Sequence, residues 1–127
     1  MPIVLGELSH IALVVTDPKR TVALFQQLFD APVVSRIDDE GHDETLIRLG
    51  KTWFQLVPAQ MQPQRTGDHI AFLVSQEALQ STLTKLKDLQ MEYILARGDT
   101  ALYFFDYDNH VFELDTVGMA DAQRTVR

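Results

Sequence analysis

The chain has 127 residues, 46% hydrophobic and 23% charged, with no cysteine. That length suffices for one core-forming domain, and disulfides and thiolate metal ligands are excluded. A formal net charge of −7 argues against nucleic-acid binding, which depends on Lys and Arg contacts to phosphate.

The sequence opens without a basic segment and long apolar stretch, and no run approaches the ~20 apolar residues of a membrane span. A cytoplasmic protein that meets neither membrane nor nucleic acid is the expectation. "LSHIALVV" (8–15) alternates and predicts a strand. "TDPKR" then starts a helix, with Thr16 or Asp17 as N-cap and Pro18 in the first turn. Val22, Phe25 and Phe29 would form its apolar face. Three strand-like runs follow, "VVSRI", "ETLIRLG" and "TWFQLV", with the acidic loop "DDEGHD" between the first two. "PAQMQPQRTGD" reads as a linker. The order then restarts: "DHIAFLV" (68–74) is a strand, Ser75 caps a helix bearing Leu79, Leu83 and Leu86, and "MEYILA", "ALYFFD" and "HVFELD" are strands. Two βαβββ modules are expected, at about 7–58 and 67–118, joined by residues 59–66 and followed by a tail, 119–127.

The modules also agree in letters. His10-Ile11-Ala12 recurs as His69-Ile70-Ala71, and Gln55 of "WFQLV" recurs as Glu113 of "VFELD". An internal repeat of this extent organises every other reading. Glu113 stands between Phe112 and Leu114, where an unpaired carboxylate would cost several kcal/mol to bury. Solvent, a salt-bridge partner or a metal ion must offset that cost. Alone, each His or Glu would be read as a solvated or core residue. Repetition at matching strand positions favours a divalent-metal site of two imidazoles and a carboxylate: His10, His69 and Glu113. Gln55 is a fourth ligand, a donor to a ligand, or polar filler. His110, after "DYDN", is expected to brace a turn, and His42 to be solvated. Glu44, at the start of a strand, is a candidate general base or a solvated strand-end charge. No nucleophile elbow, Ser-His-Asp set, P-loop or dinucleotide fingerprint is present.

With these features together, the chain resembles the vicinal oxygen chelate superfamily, which includes glyoxalase I, extradiol dioxygenases, and bleomycin- and fosfomycin-resistance proteins. The likeness is greatest to the fosfomycin-resistance epoxide hydrolase group, through "GELSHIALVV", "RTGDHIAFLV" and "LYFFDYDNHVFELD". It implies an α+β fold in which two tandem βαβββ modules form a curved mixed sheet around a metal-binding cleft, all in one domain, 1–127. The resemblance further implies His10, His69 and Glu113 as ligands of a divalent ion, with Mn²⁺ favoured and Zn²⁺, Ni²⁺ or Fe²⁺ as alternatives. Glu44 matches the general base, preceding the strand that leads to Trp53; Tyr103 matches a residue lining the substrate site, and Trp53 is expected to contact substrate as well. A homodimer with modules pairing between chains is implied too, His10 coming from one subunit and His69 with Glu113 from the other.

Two features depart from that group. Ala12 replaces the usual Thr two residues after the first His, and "ARGDTA" is shorter than the usual phosphonate-holding loop. Arg97 and Arg124 are the remaining candidates to contact a substrate anion. The expected activity is metal-dependent addition of water to a small anionic epoxide. The alternatives are a glyoxalase-type lyase or isomerase, and a metal-free drug-binding protein similar to the bleomycin-resistance members.

Overall fold

Each "HIA" stretch becomes a strand followed by a helix that a side chain starts. A computed structural model describes residues 3–119; Arg124, a candidate anion contact, lies outside the described residues. The elements are β1 (His10–Val15), α1 (Pro18–Phe29), β2 (Val33–Ile37), β3 (Asp43–Leu49), β4 (Thr52–Pro58), β5 (His69–Leu73), α2 (Gln76–Asp88), β6 (Tyr93–Ala96), β7 (Ala101–Phe105) and β8 (Val111–Asp115). The described chain divides into two units between Gln62 and Pro63.

Asp17 caps α1 by accepting the Arg20 backbone N–H, and Pro18 needs no partner for its missing N–H. Asp30 ends the helix in the left-handed region, at φ 52°, with its N–H returned to the last turn. Ser75 caps α2 in the same way by accepting from the Ala78 N–H. Lys85 and Lys87 sit in the last turn of α2, where cations favour the helix dipole.

The first unit carries a four-stranded sheet ordered β1-β4-β3-β2, and the second repeats it as β5-β8-β7-β6. In both, the first strand pairs parallel with the last, and the other pairings are antiparallel. The fold is therefore α+β, two mixed sheets with a helix each. Alternation of side chains gives every strand a helix-facing set and an open-face set. On the helix side of the first unit, Leu13, Val15, Ile47, Phe54 and Leu56 are buried, and α1 packs against β3 and β4.

The buried stripe of α1 is Thr21, Leu24, Phe25 and Leu28, rotated from the expected Val22, Phe25 and Phe29. Val22 and Phe29 flank it, half-buried, and Phe29 stacks on Phe25 with ring centres 6.2 Å apart. In α2 the expected leucines 79, 83 and 86 are the buried stripe, with Thr82 added. The second core is aromatic at its centre. Phe104 and Phe112 face each other across the β7–β8 register and stack with centres 5.3 Å apart.

Two acidic loops are pinned by their own carboxylates. Asp106 Oδ1 accepts the backbone N–H of Asp108 and of His110, while Oδ2 lies 2.7 Å from His110 Nδ1. His110 thus braces the turn into β8, and Asn109 there adopts φ 67°. Between β2 and β3, Asp38 Oδ1 accepts from the N–H of Glu40 and of His42. His42 itself is exposed beside Asp38 and Glu40.

Phe112 has no solvent exposure, so Phe112→Ala should remove about 3–5 kcal/mol of stability, read by urea denaturation. The backbone N–H of His42, helped by that of Glu40, holds the Asp38 carboxyl below its ordinary range. Folding therefore favours ionised Asp38: its contribution is complete above the ordinary carboxylate pKa and is lost as pH falls through the depressed value. Asp38→Asn should flatten the acid side of a stability–pH curve measured by the same method.

Candidate functional site

The open faces of the two sheets hold the polar residues that the repeat singled out. In the second unit, Glu113 is opposite Tyr103 on one side and Ala71 on the other. The small Ala71 leaves room beside the carboxylate, whose side chain is only 6% exposed. Two groups stand against that carboxylate. His69 Nε2 lies 3.2 Å from Glu113 Oε1, and an Arg97 terminal nitrogen donates to Glu113 Oε2. Arg97 also donates to the Tyr103 hydroxyl at 3.2 Å and lies 4.0 Å from Asp115. Those acceptors, Tyr103 first and Glu113 next, push the Arg97 guanidinium still further above its ordinary range. The rings of His69 and Tyr103 meet edge to face, 5.6 Å between centres.

The tautomer of His69 follows from its other contact. Nδ1 lies 3.1 Å from the Gly67 carbonyl oxygen, which can only accept, so Nδ1 carries a proton. A neutral His69 then presents the Nε2 lone pair to a carboxylate oxygen. Two acceptors at that separation repel unless a cation stands at them, a second proton or a metal ion. An imidazole whose outer N–H is tied to a carbonyl, beside a shielded carboxylate, is the donor chemistry a divalent ion takes.

In the first unit the matching positions carry a different set. Gln55 is opposite Leu46 and Ala12, as Glu113 is opposite Tyr103 and Ala71. A cavity of about 390 Å³ opens on this face, lined in part by His10, Arg36, Glu44, Trp53 and Gln55. His10 Nδ1 lies 2.9 Å from Ser9 Oγ. The Glu44 side chain is 15% exposed; it accepts from Arg36 Nε at 2.6 Å and from Gln55 Nε2 at 3.5 Å. The Arg48 guanidinium stands 5.7 Å from the Trp53 ring centre. Glu44 is therefore oriented into a cavity rather than solvated at a strand end.

The structure brings His69, Glu113, Tyr103 and Arg97 together in one unit, and His10, Gln55, Glu44 and Trp53 in the other. Among the described residues, no three His, Asp or Glu side chains gather closely enough to hold a metal ion. Arg36 had no place in the sequence reading. Its only signal was the two-residue alternation that sets it on the face of Val34.

Two βαβββ units, each with an imidazole and a polar group at matching strand positions, define a class of α+β proteins built on a repeated module. The model of the Glyoxalase/Bleomycin resistance protein/Dioxygenase superfamily matches residues 7–114, and the chain belongs to that superfamily. Within it, the chain is similar to the fosfomycin resistance protein FosX of Listeria innocua, with 31% identity over 115 residues, 84% of this chain and 86% of the relative. The metallothiol transferase FosB of Bacillus licheniformis is 28% identical over 123 residues, 90% of this chain and 77% of the relative. Among solved structures, a mutant of FosX from Listeria monocytogenes, complexed with Mn(II) and 1S,2S-dihydroxypropylphosphonic acid, aligns at a TM-score of 0.80 and 29% identity, covering 96% of this chain and 100% of that one.

Glu113 and Arg97 should prove energetically coupled. Arg97→Gln leaves a shielded carboxylate without its cation, and Glu113→Gln leaves the cation without its carboxylate. In a double-mutant cycle followed by urea denaturation without added metal, the double variant should lose less stability than the two single losses combined.

Proposed function

We propose that the protein is a divalent-metal-dependent hydrolase that adds water to the epoxide of a small anionic substrate of the fosfomycin type. The observation that carries this reading is the pairing of His69 Nε2 with the shielded Glu113 carboxylate at 3.2 Å, at the positions that His10 and Gln55 hold in the other module. Likeness to FosX supports the substrate class, and the Mn(II) complex of a FosX mutant supports Mn²⁺ ahead of Zn²⁺, Ni²⁺ or Fe²⁺.

In this reading His10, His69 and Glu113 are the ligands, with Gln55 as a fourth donor. The working form is a cytoplasmic homodimer whose modules pair between chains, His10 from one copy serving with His69 and Glu113 of the other. The whole chain, 1–127, acts as one domain, with modules at about 7–58 and 67–118.

When bound, the ion supplies Lewis acidity to the epoxide oxygen, where negative charge develops as the ring opens. Glu44 accepts a proton from the water whose oxygen bonds to the oxirane carbon; the carbon–oxygen bond of the ring breaks, the former ring oxygen takes a proton from solvent, and a vicinal diol results. Arg36 and Gln55 hold the Glu44 carboxylate in one orientation for that transfer. Trp53 walls the cavity beside it, and Tyr103 orients the substrate, with Arg97 and Arg124 drawn to its anionic group. The Gly67 carbonyl keeps His69 in the tautomer that frees Nε2.

Glu113→Gln should weaken Mn²⁺ binding by more than about 10-fold, read by calorimetry. Glu44→Gln should leave Mn²⁺ affinity intact and lower diol formation from fosfomycin by about 10²–10⁴-fold, followed by phosphorus NMR. Wild-type protein that binds Mn²⁺ and fosfomycin yet forms no diol would reject the hydrolase.

A further inference from the structure

Arg36 is the cation of the first unit's cavity, and an anionic substrate raises a problem there that Glu44 alone cannot solve. The proposed base is a carboxylate that lines a cavity of about 390 Å³, and the substrate to be admitted beside it is also negative. Like charges held that close repel, more strongly as water is displaced.

The geometry of Arg36 answers this. On β2 it stands directly opposite Glu44 of β3, and its Nε donates to Glu44 Oε2 at 2.6 Å. That contact uses the side of the guanidinium; the two terminal nitrogens make no hydrogen bond to a described residue, and the Asp39 and Asp38 carboxylates act on the same cation from the loop after β2. The end edge of a guanidinium can meet two oxygens of a carboxylate, phosphonate or phosphate at once. Exposure differs along the pair as well: the Arg36 side chain is 63% exposed and that of Glu44 15%. An anion can therefore reach the free edge while the carboxylate stays shielded behind it. The second unit has no counterpart, because Ala96 and Ala101 pair at the equivalent place.

We propose that Arg36 determines selectivity for substrate charge: its terminal nitrogens take the two-oxygen anionic group of the epoxide, while its Nε positions Glu44. This rests on the hydrolase reading above. It also gives the chain an anion contact on β2, apart from the short "ARGDTA" stretch (96–101) of the second unit, which offers few donors.

The test uses Mn²⁺-loaded full-length wild type, Arg36→Gln and Arg36→Lys, with methylphosphonate and acetate as binding probes in calorimetry. Kinetics on fosfomycin and on uncharged propylene oxide accompany it. Arg36→Gln should weaken methylphosphonate binding by about 10-fold or more and raise KM for fosfomycin to match, with no comparable rise for propylene oxide. Its kcat should fall for both epoxides, because Glu44 loses its orienting partner. Arg36→Lys should recover part of the anion binding but not kcat, since an ammonium cannot serve both groups as the fork does. Acetate binding that is equally sensitive to Arg36 assigns the edge to any two-oxygen anion; insensitivity confines it to phosphonate. Unchanged methylphosphonate affinity in Arg36→Gln, or none in wild type, overturns the proposal even if fosfomycin is hydrated. Arg36-dependent binding with no hydration of either epoxide upholds the anion site and rejects the hydrolase instead.

Discussion

A carboxylate placed among phenylalanine and leucine must have its charge met, and the open face of the second sheet is arranged around that need. Glu113 is held by strand pairing, so it cannot retreat to water as a surface glutamate would. His69 and Arg97 are brought to it from β5 and from the turn after β6. Tyr103 in turn touches both His69 and Arg97. Arg97 reaches back because it, Gly98 and Asp99 all have positive φ, which folds that short turn tightly. Desolvation of a charge costs more than any one of these contacts returns, so the cluster is stable only as a set.

The two units share a backbone plan and divide the chemistry. At the position of Glu113 the first unit has neutral Gln55, and no buried charge needs compensation there. Its charges stand one strand further out, where Arg36 and Glu44 pair across β2 and β3. The corresponding pair in the second unit is Ala96 and Ala101. Each module is thus bare where the other is charged. One plan carries a shielded carboxylate beside an imidazole, and the other a cavity with an oriented carboxylate.

Much of this is legible in the sequence. The repeated "HIA" letters and the Gln55–Glu113 correspondence located both halves of the candidate site, because strand alternation converts position directly into face. The α1 stripe was misplaced because Val22 and Phe29 are large and apolar, while the buried Thr21 is not; helical phase, not hydrophobicity, decided which residues turned inward. Arg36 escaped notice for a related reason. Nothing within "VVSRI" announces its partner, since the register between β2 and β3 is a property of two strands and the loop that joins them. The contact of Arg97 with Glu113 was equally hidden, because left-handed backbone at an arginine has no reliable signature in sequence.

The parallel pairing of β5 with β8 also has a consequence for the order of assembly. These are the first and last strands of their module, so helix, hairpin and turn all lie between the partners. Closing so long a loop costs chain entropy before any ladder bond forms. Until that closure occurs, His69 and Glu113 are strangers in a disordered segment, and the carboxylate remains fully hydrated. The site is therefore among the last features the folding chain can possess. A nascent or partly opened second module would lack the pairing of His69 with Glu113.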